Sequence, residues 1–250
     1  MAQPWTDQEP APVLATVELR FELDLGIDLS GARLAMEQAA SAALFIDGQR
    51  IEARPEGWWV DEAIQTVALP HMAAGTHELV LRFAMTRKTN LEWCYLLGDF
   101  GVVVRGRHCR VTSPVRELAF GDWTAQGLPF YVGNVTYGCS IAGDDRPLAV
   151  HIPRFKAALL TAALDGRPTG YIAFAPFRLE LGRLSAGEHS LQITAYGNCF
   201  NAFGHLHNVD PGLWWYGPPA WRSTGANWAY EYQLKPMGIL SAPLVEAPAG

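Results

Sequence analysis

Apolar and polar residues alternate without a break along Val17-Glu-Leu-Arg-Phe-Glu-Leu-Asp-Leu25. A period of two is that of a half-buried strand, here with the odd positions facing a core. The same period returns in Leu79-Val-Leu-Arg-Phe83, in Phe177-Arg-Leu-Glu-Leu181 and in Leu191-Gln-Ile-Thr-Ala195. Asp47-Gly48 and Asp165-Gly166 each sit between apolar runs, where this dipeptide supplies the positive φ of a tight hairpin. A last strand is expected near Tyr232–Leu240.

The pattern occurs twice. Ala-Ala-Leu-Phe-Ile-Asp-Gly-Gln-Arg around Asp47 leads through an aromatic stretch to Ala-Gly-Thr-His-Glu-Leu from Ala74. Leu-Thr-Ala-Ala-Leu-Asp-Gly-Arg-Pro around Asp165 leads through another to Ala-Gly-Glu-His-Ser-Leu from Ala186. Such self-similarity fixes the architecture as one module duplicated. It also arbitrates a conflict. Ala32–Leu44 is rich in helix formers, but its repeat partner, Leu148-Ala-Val-His-Ile-Pro-Arg-Phe155, carries a proline and β-branched residues. Propensity is a weak prior, so both are expected to be strands.

Short strands, regular turns, 24 glycines and 17 prolines indicate an all-β protein of two jelly-roll β-sandwiches in tandem. The expected divisions are an extended N-terminal segment over 1–12, a first sandwich over 13–108 and a second over 109–250, with the break near Arg105–Ser113. Residues 197–232 are too long for a simple connection and carry four of the nine tryptophans, which reads as an aromatic loop with a function.

The net charge of −6 and the scatter of Lys and Arg argue against a nucleic-acid partner. No apolar run approaches the roughly 18 residues of a membrane span. The start shows no basic and apolar signal pattern, so a cytoplasmic location is expected. Four cysteines without a C-x-x-C read as buried free thiols in a reducing compartment rather than as a zinc or disulfide framework. Phosphate-binding glycine loops and a Gly-x-Ser-x-Gly elbow are absent.

The runs Leu96-Leu-Gly-Asp-Phe-Gly-Val102, Gly127-Leu-Pro-Phe-Tyr-Val-Gly-Asn-Val-Thr-Tyr137, Gly204-His-Leu-His-Asn208 and Tyr232-Gln-Leu-Lys-Pro-Met-Gly238 resemble the carboxy-terminal region of large bacterial glycoside hydrolases. These are the chains related to glycoside hydrolase family 2 or to α-L-rhamnosidases. The resemblance implies galactose-binding-domain-like jelly rolls, a carbohydrate partner and the catalytic domain of a parent glycoside hydrolase. The family's catalytic barrel lies upstream of this region and has no counterpart here, so no catalytic residue is carried over.

Glycoside hydrolysis needs two carboxyl groups roughly 5–10 Å apart. Asp61, Glu62, Glu92, Asp99, Asp122, Asp144, Asp145 and Glu231 are candidates, and no spacing pairs any two. His205-x-His207 would place two imidazoles on one face of a strand, yet no third metal ligand follows, so a pair capping loop carbonyls is the plainer reading. His77 and His189 recur in the repeat, which argues for a turn role. Calcium would need several oxygens from one loop, and Asp144-Asp145 is the densest acidic pair, so no cofactor is expected beyond at most a structural ion.

Aromatic rings beside polar groups are the better lead, because sugar C–H faces stack on rings while hydroxyls take hydrogen bonds. Trp58 and Trp59 in the first copy fit, as do Asn201, His205, His207, Asn208, Trp214, Trp215, Tyr216, Trp221 and Arg222 in the second. Adjacent tryptophans on a strand point to opposite faces, so at most one of each pair belongs to a core. Packing against a second sandwich or a missing domain is the rival reading for the long loop. Three functions therefore remain: a non-catalytic carbohydrate-binding accessory region, a purely structural scaffold, and a hydrolase whose site lies near His205, His207 and Glu231.

Overall fold

The computed structural model describes residues 11–89, 91–210 and 225–247. Most of the expected extended start, and Trp214, Trp215, Tyr216, Trp221 and Arg222, therefore lie outside the described residues. The described chain is almost wholly β. It forms two compact units, one drawn from Met1–Gly101 with Cys109–Pro114 and the other from Val102–His108 with Val115–Gly250.

The first unit contains β1 (Ala15–Leu25), β2 (Arg33–Glu37), β3 (Ala43–Ile46), β4 (Gln49–Ile51), β5 (Pro55–Trp59), β6 (Asp61–Ala68), β7 (Gly75–Met85) and β8 (Tyr95–Leu97). Strand β9 (Gly101–Arg105) carries the chain into the second unit and β10 (His108–Thr112) returns it to the first. One sheet contains β4-β3-β7-β1-β10 in that order, and the other is β5-β6-β2-β8. Strand β1 pairs antiparallel with β7 along its full length, from Ala15 opposite Met85 to Leu25 opposite Gly75. The alternation read from the sequence holds: Leu19, Phe21, Leu23 and Leu25 pack with Leu79, Leu81 and Phe83 in one apolar core.

The second unit contains β11 (Val135–Gly143), β12 (Pro147–His151), β13 (Phe155–Lys156), β14 (Leu159–Leu164), β15 (Arg167–Ile172), β16 (Arg178–Arg183), β17 (Gly187–Tyr196), β18 (Gly238–Ile239) and β19 (Leu244–Glu246). Its sheets are β11-β17-β14-β15, β16-β12-β19 and the small pair β13-β18. The duplication seen in the sequence is a duplication of topology. The run β1-β7-β3-β4 corresponds to β11-β17-β14-β15, and β6-β2-β8 corresponds to β16-β12-β19. Each pair of sheets encloses its own apolar core; that of the second unit is built on Leu160, Leu191, Ile193, Val150 and Ile152. Burying one such side chain contributes about 1.5–3 kcal/mol, which is why the inward positions are apolar in both copies.

Both Asp-Gly pairs make the expected hairpins. Asp47 and Gly48 have φ of 50° and 77°, and Asp165 and Gly166 have 48° and 75°. Two successive residues at positive φ twist the turn in the sense of the flanking strands.

Two expectations need correction. Ala32–Leu44 is not one strand: β2 and β3 are separated by a single 3-10 turn at Ala39–Ser41, whose Ala39 is buried in the core. Pairing of Leu34 with Val67 and of Leu44 with Leu81 overrides the helical propensity of the segment. No strand spans Tyr232–Leu240; only Gly238–Ile239 pairs, with Phe155 and Lys156. The backbone before it is used elsewhere, Gln233 N donating to Leu206 O and Lys235 N to the Asn201 side chain.

Candidate functional site

The repeated histidines form the same clasp in both units. His77 Nδ1 lies 2.7 Å from Asp47 Oδ2, and its Nε2 lies 2.8 Å from Ala73 O. His189 Nδ1 lies 2.7 Å from Asp165 Oδ2, and its Nε2 lies 3.0 Å from Ser185 O. The other carboxylate oxygen accepts from Glu78 N in the first copy and from Ser190 N in the second, each at 2.9 Å. Carboxylate and carbonyl can only accept, so this geometry is best satisfied by the protonated ring, whose two nitrogens both donate. Hydrogen bonding to the aspartate, then to the backbone carbonyl, raises the pKa of both histidines, while the bond from the histidine lowers that of Asp47 and Asp165. In the second copy Gly143 makes room, since a Cβ there would stand 2.1 Å from Ser185 O.

The sign of the pH effect follows. A raised histidine pKa contributes stability that is complete below the ordinary imidazole range and lost as pH rises through the raised value. A lowered aspartate pKa contributes stability that is lost as pH falls through the depressed value. Both clasps are therefore tightest in the mildly acidic window between them. Thermal melts across pH should show wild type losing stability on the alkaline side of that window, and a His77→Asn, His189→Asn double variant should lose this slope. An unchanged slope in the variant would place the titration elsewhere.

Trp58 and Trp59 differ in exposure. Trp58 is 57% exposed. Trp59 is half-buried, and its ring meets Tyr95 with centroids 4.8 Å apart. Tyr95 pairs with Ala35, and Ala35 pairs in turn with Thr66. Both Ala35 and Thr66 are buried, so this outer face of the sheet is covered. The hairpin between β5 and β6 turns at Val60, whose φ of 64° is strained for a β-branched residue.

In the second unit the chain leaves β17, makes a short helix, α1 (Phe200–Phe203), and returns through 225–237. His205 and His207 fall in the turn after α1, not on a strand. Asn201 is buried and grips Lys235 at both backbone atoms, Oδ1 accepting from N at 2.9 Å and Nδ2 donating to O at 2.8 Å. Buried Asn208 accepts from Asp210 N at 2.9 Å and forms a bridge with Trp228. His207 donates from Nδ1 to Ala229 O at 2.9 Å and stacks on Trp228 with centroids 4.5 Å apart. Buried His205 packs against the Phe200 ring, and burial pushes its pKa down.

A half-open cleft of about 470 Å³ lies within the second unit, and none of Asn201, His205, His207 and Asn208 is among the residues that line it. Its lining includes Val102 and Val104 of β9, Thr124, Glu231, Tyr232 and Leu234. Tyr232 is itself held by the Phe130 ring at 5.4 Å and by His207 at 4.8 Å. The cleft thus offers an apolar wall, one aromatic ring, the hydroxyl-bearing side chains of Thr124 and Tyr232, and one carboxylate. Sequence reasoning named Glu231 but missed Tyr232 and Thr124, because neither stands out until β9 is placed beside 231–234.

Two of the other acids serve the backbone. Asp122 Oδ1 accepts from Thr124 N, Thr124 Oγ1 and Met237 N, and Asp61 Oδ1 accepts from Ala63 N. Asp144 is paired with Arg146. Among the described residues no group of three or more His, Cys, Asp or Glu side chains could hold a metal ion. All four cysteines are free, but none is fully buried as expected: Cys94, Cys109 and Cys139 are half-buried and Cys199 is exposed; burial pushes the Cys94 thiol up to about 11. Among the described residues no helix is long and apolar enough to cross a membrane.

No protein-family model matches the chain, and no curated protein matches it. Solved structures similar at a low level include the following three. A rhamnosidase from Novosphingobium sp. PP1Y aligns over 92% of this chain and 21% of its own, with 16% identity and a TM-score of 0.34. A lectin from Pleurotus ostreatus aligns over 76% of this chain and 69% of its own, with 9% identity and a TM-score of 0.23. A conserved protein of unknown function from Pseudomonas aeruginosa PAO1 aligns over 73% and 76%, with 11% identity and a TM-score of 0.19. This chain thus spans about a fifth of the rhamnosidase's length and most of the length of the other two.

Proposed function

We propose that the chain is a non-catalytic carbohydrate-binding region that accompanies the catalytic domain of a glycoside hydrolase. The observation that carries this reading is the cleft beside β9, where the Tyr232 ring, the Glu231 carboxylate and the Thr124 hydroxyl line one half-open space with an apolar wall. A sugar matches that lining, since its C–H face packs on a ring and its hydroxyls donate to a carboxylate. Glu231 is the single carboxylate of that lining, and a two-acid mechanism needs a pair.

The scaffold reading has one observation in its favour. Asn201 and Asn208 are buried and committed to the backbone, which is what a device for ordering a loop would require. The two readings separate in a calorimetric titration with a panel of neutral oligosaccharides. Glu231→Gln, which removes the carboxylate, and Tyr232→Phe, which removes the hydroxyl but keeps the ring, should weaken binding by about tenfold each, the usual value of one good polar contact, with melting temperatures close to wild type. A wild-type protein that gives no heat with any member of the panel is a scaffold.

A further inference from the structure

The two copies differ systematically on one face. Along β1 and β7 the outward positions of the first unit include Glu18, Arg20, Glu22, Glu78 and Arg82. Arg20 bridges Glu18 at 2.7 Å and Glu78 at 3.1 Å, Arg82 bridges Glu18, and the Arg82 guanidinium lies 4.9 Å over the Phe45 ring. That face is closed by its own ions. The same topological positions of the second unit are Thr136, Gly138, Ser140, Ser190 and Thr194. Every charge of the first copy is a small neutral residue in the second.

The register builds these residues into rows. Thr136 faces Thr194, Thr194 faces Thr161, and Thr161 faces Tyr171, so four hydroxyls cross the whole sheet. The Thr136 and Thr194 hydroxyls are 2.8 Å apart. The next row is Gly138, Gln192 and Ala163, and a Cβ added at Gly138 would meet nothing within 4 Å. Tyr171 is 68% exposed and Tyr196, one row away on β17, is 37% exposed. The nearest charged residues in register, Arg167 and Glu188, lie at the turn end of the sheet, opposite Leu164 and Ala142.

We infer that this face of the sheet β11-β17-β14-β15 is a second binding platform, distinct from the cleft, for a neutral glycan chain lying across the strands. Neighbouring strands are about 4.8 Å apart, close to the width of one sugar ring, so each strand presents one hydroxyl or amide per sugar. A face without charge favours an uncharged ligand, because a charged one would lose hydration without gaining a counter-ion. Tyr171 and Tyr196 supply the flat apolar surface on which a pyranose stacks. The inference shares with the proposed function the premise that the ligand is a saccharide, but it rests on different residues.

The test transplants the first copy's ions into the second. Thr136→Glu with Thr194→Arg recreates the directly opposed Glu18 and Arg82 pair on a scaffold that already tolerates it. Retention on neutral polysaccharides is read by affinity electrophoresis, with polygalacturonate as the acidic control. Tyr171→Ala should weaken retention by about tenfold, and the charged double variant should abolish the part of retention that Glu231→Gln leaves intact. Full retention by the double variant overturns the platform while leaving the cleft reading standing. Loss with the double variant and none with Glu231→Gln supports the platform and removes the cleft. Stronger retention on polygalacturonate than on neutral chains overturns the platform's neutral specificity. Sedimentation velocity covers a second occupant: a wild-type dimer that the double variant dissociates makes the face a self-association surface, and the inference falls.

Discussion

Replacing Trp123 by alanine lowers the stability of the second unit by about 3–5 kcal/mol, the usual cost of deleting a fully buried large aromatic side chain. Trp123 is fully buried at the start of a 3-10 turn, Trp123–Gln126, that Asp122 caps. Its backbone N donates to Met237 O at 3.0 Å, and Gly121 N donates to Ile239 O at 2.7 Å, so the turn is pinned to the returning chain. Tyr131 meets the indole edge-on with centroids 6.3 Å apart. Gly238, at a φ of 105°, lets β18 approach, since a Cβ there would lie 3.0 Å from Trp123 Cε3. Collapse into the resulting cavity is limited, because the backbone on both sides is hydrogen-bonded in place. The indole N–H has no acceptor among the described residues, so Trp123→Phe, which removes that donor, costs less than the alanine. Urea unfolding monitored by circular dichroism gives both values. A loss below about 1 kcal/mol for the alanine would falsify the plug role.

The second large effect is at Asn201. Removing its amide strands two backbone groups of Lys235, each costing about 1–3 kcal/mol when left buried and unpaired. The loss is local before it is global, because 231–234 is the segment that lines the cleft. Asn201→Ala should speed hydrogen exchange at the Lys235 amide by orders of magnitude and weaken any ligand of the cleft. Asn201→Asp keeps the acceptor for Lys235 N but sets a carboxylate against Lys235 O, so it rescues only part of the stability. A Lys235 amide that stays fully protected in the alanine variant means that another group holds the segment, and the assigned role of Asn201 is then wrong.

Asn201 also shows where sequence reading stops. Asn201, His205, His207 and Asn208 were singled out because rings and polar groups cluster there, which is a sound reason to expect either a site or a joint. Sequence offers no way to choose, because the choice depends on which carbonyl or amide lies opposite each side chain. His77 and His189 were more legible. Their recurrence at one offset from a Gly, after Asp-Gly turns, already argued for a turn role, and both complete the same clasp. Trp123 carried no signal at all. It is a single aromatic in an irregular stretch, and its burial follows from Met237–Ile239 returning more than a hundred residues later.

What the amino-acid order settled by itself was local and periodic. The alternation at Val17–Leu25, the two Asp-Gly turns and the Gly-x-His repeat set the strands, the hairpins and the duplication, because each depends on neighbours within a few residues. Tertiary structure alone decided the rest. It placed 231–234 beside β9 to make a cleft. It replaced the expected strand at Tyr232–Leu240 with a segment hung on Asn201. It aligned Thr136, Thr194, Thr161 and Tyr171 in one row. The reason is the same in each case: long-range register follows from which backbone donors and acceptors remain free after the strands have paired, and that is a property of the whole chain.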